Sequence, residues 1–70
     1  MYRSYKITDF EVGDYLYKFE EDKWINYGKI VLQQGQVFGI RSNKFDRIIM
    51  IRKVLVYGEG FIASNNILDN

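Results

Sequence analysis

Seventy residues with a formal net charge of +1 and neither cysteine nor histidine make one domain at most. They exclude a disulfide scaffold and the commonest transition-metal ligands. A chain this short buries only about 60% of its unfolded surface, so it depends on dense packing; a 47% hydrophobic composition with twelve aromatic rings supplies that and argues against disorder.

The N-terminal Met1-Tyr2-Arg3-Ser4-Tyr5-Lys6 lacks the apolar stretch of a signal peptide. No apolar run, Ile48-Ile49-Met50-Ile51 included, approaches a membrane span. A cytoplasmic location is therefore expected. Phe10-Glu11-Val12-Gly13-Asp14 reads as a turn in which glycine takes positive φ.

Tyr15, Tyr17 and Phe19 then alternate with Leu16 and Lys18, the period of a strand. Glu20-Glu21-Asp22-Lys23 is a polar hairpin tip, and Trp24 to Leu32 is the returning strand. Strict alternation would put Ile25, Tyr27, Lys29 and Val31 on one face. Trp24, Asn26, Gly28, Ile30 and Leu32 would take the other, with Gly28 marking a bulge or bend.

Gln33-Gln34-Gly35-Gln36 is a second turn, Val37 to Arg41 a short strand, and Ser42 to Asp46 a third turn. Arg47 to Tyr57 is β-rich but long for one strand, so Arg52-Lys53 is expected to mark a bend or bulge. Gly58-Glu59-Gly60 leads into the last strand. Turns recurring about every ten residues, with no helical period of useful length, indicate an all-β meander closed into a small barrel over residues 1–70.

Two segments carry a family resemblance. Gly58-Glu59-Gly60-Phe61-Ile62-Ala63-Ser64-Asn65-Asn66-Ile67 resembles the closing strand, short 3₁₀ turn and final strand of SH3 domains. Phe10 to Tyr17 is similar to that family's diverging turn, and Trp24 stands much where the family's binding tryptophan stands. The resemblance implies an SH3-like barrel of five to six antiparallel strands with a 3₁₀ turn near the C-terminus. The family's first loop is longer than Ser4 to Asp9 allows, and the stretch from Trp24 to Gly60 is longer than two strands need, implying an added hairpin around residues 33–47. Ala63 and Asn66 replace the family's proline and tyrosine, so one wall of the groove that takes proline-rich peptides is missing.

Catalytic chemistry finds no footing. Ser4, Thr8, Ser42 and Ser64 have no evident base, and the expectation is a protein that is not an enzyme and needs no cofactor. The acidic clusters Asp9, Glu11, Asp14 and Glu20, Glu21, Asp22 do not follow a Ca²⁺-loop pattern and read as solvated turns. Gly58-Glu59-Gly60-Phe61-Ile62-Ala63 matches a nucleotide-binding fingerprint in letters only, since seven residues remain for the helix and strand the fingerprint requires.

Binding is the better expectation. Residues 1–22 carry a net charge of −3, residues 23–57 +6 and the last thirteen −2, an asymmetry able to steer a charged partner. A protein-binding surface is expected at Trp24, Tyr17 and Tyr27, since Trp and Tyr dominate interface hot spots. Composition rich in Lys, Ile, Asn and Tyr suggests an AT-rich bacterial or phage genome, and with it an accessory or inhibitor protein acting on a host protein. The alternative is a nucleic-acid binder using Arg41, Lys44, Phe45, Arg47, Arg52 and Lys53, cations on phosphates with Phe45 stacked on a base. An unpaired edge strand such as 37–41 would let the chain pair with a second copy.

Overall fold

The computed structural model of the chain describes residues 5–7 and 9–66. Its elements run β1 (Tyr15–Glu20), β2 (Lys23–Gln34), β3 (Val37–Ser42), β4 (Ile48–Arg52), α1 (Lys53–Gly58) and β5 (Ile62–Ser64). The five strands form one antiparallel sheet in the order β4-β3-β2-β1-β5. The all-β expectation holds. No helix among the described residues is long and apolar enough to cross a membrane. Tyr2, Ser4, Thr8 and Ile67 lie outside the described residues.

Turn chemistry sets the meander. The tip of the β1–β2 hairpin is a two-residue loop, with Glu20 opposite Lys23 and both Glu21 and Asp22 at positive φ, as a type I′ turn requires. Gly13, at φ 102°, closes the turn before β1, where Asp14 N–H donates to the Glu11 carbonyl at 3.1 Å. That turn is tied across the sheet to Ile30, whose carbonyl accepts from Gly13 N–H and whose N–H donates to the Asp14 carbonyl, both at 2.8 Å.

The twelve-residue β2 bends twice. Its pairing with β1 slips between Leu16 and Tyr17, leaving Tyr27 as the extra residue. Its pairing with β3 slips at Val31, between Ile30 and Leu32. The first half of the strand thus pairs with β1 and the second with β3, and each bulge increases local twist. At the corner sits Gly28, φ 145°, where a Cβ would fall inside the contact distance of the Arg41 carbonyl. Glycine is required there on both counts.

The bulges also correct the alternation expected for β2. Trp24 and Ile30 face opposite sides, because the bulge at Tyr27 between them shifts the side-chain phase by one residue. Ile30 joins Leu16, Phe38, Ile40, Ala63, Phe10 and Val56 in the main core, while Trp24 packs beside Tyr17 and Ile62 in a second cluster.

Residues 53–58 are helical rather than extended. Arg52-Lys53 does mark the change of direction: β4 ends at Arg52 and α1 starts at Lys53. Val54, Leu55, Val56 and Tyr57 have strand-forming propensity, but tertiary burial overrides it. The helical turn drops Val56 onto the core at 1% exposure and sets Tyr57 edge-on to Phe10 at 4.8 Å. It closes with Glu59 N–H donating to the Leu55 carbonyl at 3.0 Å, just past Gly58.

The C-terminal run differs from expectation too. Ile62-Ala63-Ser64 is strand β5, paired with Tyr15 to Tyr17 of β1, and no 3₁₀ turn occurs among the described residues. Ser64 Oγ accepts from Asn66 N–H at 3.1 Å, a local serine-to-backbone bond that holds the chain as it leaves the sheet.

Candidate binding cleft

One face of the sheet is incompletely covered. Between β4 and α1 on one side and Tyr27 with Phe61 on the other lies an open cleft of about 400 Å³, within the range of small-ligand and side-chain pockets. Leu16 and Ile40 contribute to its lining from the central strands, Ile49 and Ile51 from β4, Leu55 and Val56 from α1, and Phe45 from the β3–β4 turn. Lys44, Glu59 and Ser42 are its polar members. Its chemistry is that of a receptor for apolar groups.

Each wall is held by local chemistry. Ser42 Oγ accepts from the N–H groups of Lys44 and Phe45 at 3.1 and 3.2 Å, and Ser42 N–H donates to the Arg47 carbonyl at 3.2 Å. Asn43 ties this turn to the β2 bulge: its Nδ2 donates to the Asn26 carbonyl at 3.1 Å and its N–H to the Tyr27 carbonyl at 3.3 Å. The bulge and the turn therefore set Phe45 and Tyr27 together at the cleft. Tyr27 also packs edge-on to Phe61 at 5.2 Å, and its hydroxyl donates to Glu20 Oε1. That bond to a carboxylate, with some desolvation and the negative charge of Glu20, raises the phenol above its ordinary value near 10.

Of the expected protein-binding trio, only Tyr27 belongs to the cleft. Tyr17 is 1% exposed, and its ring is core; as a contact residue it is corrected, because a buried ring offers a partner no surface. Trp24 is half-buried on the opposite face, edge-on to Phe19 at 5.0 Å and tilted toward Tyr5 at 6.2 Å. Trp24 and Tyr27 lie on opposite faces, as strict alternation places them, and the bulge at Tyr27 is what brings Ile30 to the side of Tyr27.

The six basic-segment residues do not converge either. Lys44 and Arg47 flank Phe45 at the β3–β4 turn, with side chains 5.6 and 5.5 Å from its ring centre. Arg41 faces Asp46 at 3.6 Å beside them. Arg52 and Lys53 sit at the far end of β4, and Lys53 lies 5.2 Å over the Phe38 ring. The acidic residues have partners of their own: Asp14 accepts from Lys6 Nζ at 3.1 Å and from Glu11 N–H at 2.9 Å.

Ile49, Ile51, Leu55 and Phe61 were not legible as site residues. Leu55 and its neighbours read as strand, and only the helical turn turns Leu55 outward, at 54% exposure. Ala63, expected at the given-up wall of a peptide groove, is instead fully buried between Leu16 of β1 and the backbone of Lys6. The expected edge strand 37–41 is likewise interior, flanked by β2 and β4. Comparison with known proteins finds no matching family model, no matching curated protein and no matching solved structure.

Proposed function

We propose that the chain is a non-enzymatic, SH3-like protein-binding module that takes an apolar segment of a partner protein into the cleft bounded by Tyr27, Phe45, Leu55 and Phe61. The SH3-like reading is supported by the meander order, the sharply bent β2, the helical connection from β4 and the return of β5 beside β1. An accessory or inhibitory role on a host protein fits a small domain with an open cleft lined mainly by apolar side chains. The observation that carries the binding reading is the cleft itself: about 400 Å³, lined mainly by apolar side chains, with aromatic rings on its walls. Aromatic walls around a desolvated pocket are where binding energy concentrates in protein interfaces.

The test is quantitative capture from a lysate of the source cell, comparing the wild-type chain with Leu55→Glu. Leu55 is exposed enough for the substitution to leave the fold intact, which circular dichroism would verify. A partner retained by the wild type should be lost or held at least about tenfold more weakly by the variant. Retention of the same proteins by both would sink the cleft as the binding surface.

A second reading rests on Phe45, half exposed between Lys44 and Arg47 at the β3–β4 turn, an arrangement suited to stacking on a nucleic-acid base. Binding of that kind falls steeply with salt and fails on Arg47→Glu. No retention on single-stranded DNA or RNA at low salt would end it.

A further inference from the structure

The two edges of the sheet are finished differently. At the β5 edge, Ala63 N–H donates to the Lys6 carbonyl at 2.9 Å and Lys6 N–H to the Ala63 carbonyl at 2.6 Å, so the backbone there is covered. At the β4 edge no strand lies beyond Ile48–Arg52 among the described residues.

The ladder to β3 fixes which groups of β4 are open. Lys53 N–H donates to the Gln36 carbonyl at 2.9 Å, and the Arg47 carbonyl accepts from Ser42 N–H at 3.2 Å. In an antiparallel pair such bonds fall on alternate residues, so Arg47, Ile49, Ile51 and Lys53 bond inward. Ile48, Met50 and Arg52 point their N–H and C=O outward. The side chains of Ile48 and Met50 are also 43% and 49% exposed. The devices that usually blunt an edge, a lysine or proline within the strand or a bulge, are missing from Ile48 to Ile51.

We propose that this edge takes up an extended segment of a partner protein as a sixth strand, apolar at alternate positions and acidic at its ends. The inference rests on the protein-binding reading of the cleft and names the partner's conformation and charge. Main-chain bonds to Ile48, Met50 and Arg52 supply affinity, as in other cases of strand addition. Ile49 and Ile51 line the cleft, so alternate side chains of a strand laid beside β4 project over the same concavity.

Charge selects the ends. Arg47 and Arg52 bracket the open edge, Lys44 stands beside the first, and no acid occurs from Arg47 to Gly58. Asp46, just before, faces Arg41. A second copy is a poor occupant. Antiparallel pairing about Met50 would set Arg47 opposite Lys53, and parallel pairing would set each cation on its own copy; like charges directly opposite are destabilising.

The probe is a synthetic peptide of about nine residues, a length matched to the strand, with valine at alternate positions and two glutamates at each end. A control replaces the glutamates by lysines. Binding is followed by amide hydrogen exchange and by NMR shifts of the wild-type chain. The glutamate peptide should bind, protect the Ile48 and Met50 amides, and outcompete the lysine peptide by at least about tenfold at low salt.

Met50→Pro should abolish binding while the sheet remains, because the Met50 N–H makes no bond to β3. Leu55→Glu separates the two claims. Partner capture lost on Leu55→Glu but unchanged on Met50→Pro keeps the cleft and overturns strand addition. Failure of the glutamate peptide to bind, equal binding of both peptides, or protection of Ile48 and Met50 by self-association alone would also overturn it.

Discussion

The β5 and β4 edges belong to one sheet and solve the same problem in opposite ways. β5 is three residues long and wholly buried, and its Ala63 is paired with both β1 and Lys6. The Lys6 side chain adds a second tie, reaching the buried Asp14 at 3.1 Å and Glu11 at 3.3 Å. β4 carries Ile48 and Met50 half exposed, with their backbone groups pointing away from β3. A closed edge is what folding requires of an isolated sheet; an apolar open edge beside an unfilled cleft is the surface on which we propose that a partner strand is added. On that proposal, stability belongs to one end of the sheet and recognition to the other.

The corner in β2 makes the two ends separable, so breaking it should have the largest effect. Gly28→Ala adds a methyl group against the Arg41 carbonyl at a φ of 145° that alanine rarely adopts. Strain and overpacking together should cost about 3 kcal/mol or more, a large share of the stability of so small a domain. Urea denaturation of the variant would measure it. A cost below about 1 kcal/mol would mean that the corner relaxes easily and that β2 does not hold the two ends apart.

The legibility of the chain follows the same division. β1, β2 and β3 were readable as strands because their turn residues mark the ends: Glu21-Asp22 and Gly35, all at positive φ, sit where the sequence breaks. The Arg52-Lys53 bend was readable as well. The helix at Lys53–Gly58 was not, because Val54, Leu55, Val56 and Tyr57 carry strand propensity, and only contact of Val56 and Tyr57 with Phe10 and the core reverses it. That one reversal hides the site, since Leu55 becomes cleft wall only when the segment is helical. The bulge at Tyr27 hides the rest: alternation places Trp24 and Tyr27 on different faces, but no local signal except Gly28 says that Ile30 ends on the side of Tyr27 rather than of Trp24. Phe45 was legible as the aromatic at the tip of the basic turn, though Arg52 and Lys53, expected beside it, lie at the far end of β4.

The closed edge can be opened by chemistry of intermediate size. The Asp14 carboxylate, which accepts a hydrogen bond from the Lys6 ammonium, raises the lysine above its ordinary value, aided by Glu11 and opposed by desolvation. A group whose pKa is higher in the folded chain contributes its full stability below its unfolded value. That contribution is lost as pH rises through the folded one. Tyr27, raised by Glu20, works in the same direction. Stability should therefore be level through neutral pH and fall above about pH 10.

Asp14→Asn should cost about 1–2 kcal/mol at neutral pH, discounted for the partial exposure of Lys6, and should flatten the Lys6 part of the alkaline fall. Thermal unfolding from pH 7 to 11 would show both. An unchanged alkaline profile in Asp14→Asn would show that the β5 edge is held by the Lys6 backbone alone.

The open edge should be the least sensitive to substitution where stability is concerned. Ile48→Thr combined with Met50→Thr removes two exposed apolar side chains and keeps residues that tolerate strand geometry. Each change should alter stability by no more than about 0.5 kcal/mol, because neither side chain fills the core and the inward ladder through Ile49 and Ile51 is untouched. A null effect on stability is what the proposal requires of side chains that serve contact rather than the core. The decisive measurement is the pair of readouts on one variant: unfolding free energy and retention of the bound partner. Loss of partner at constant stability separates recognition from folding at this edge. A loss of stability above about 1 kcal/mol would show instead that Ile48 and Met50 hold the sheet together, and the contrast between the two edges would collapse.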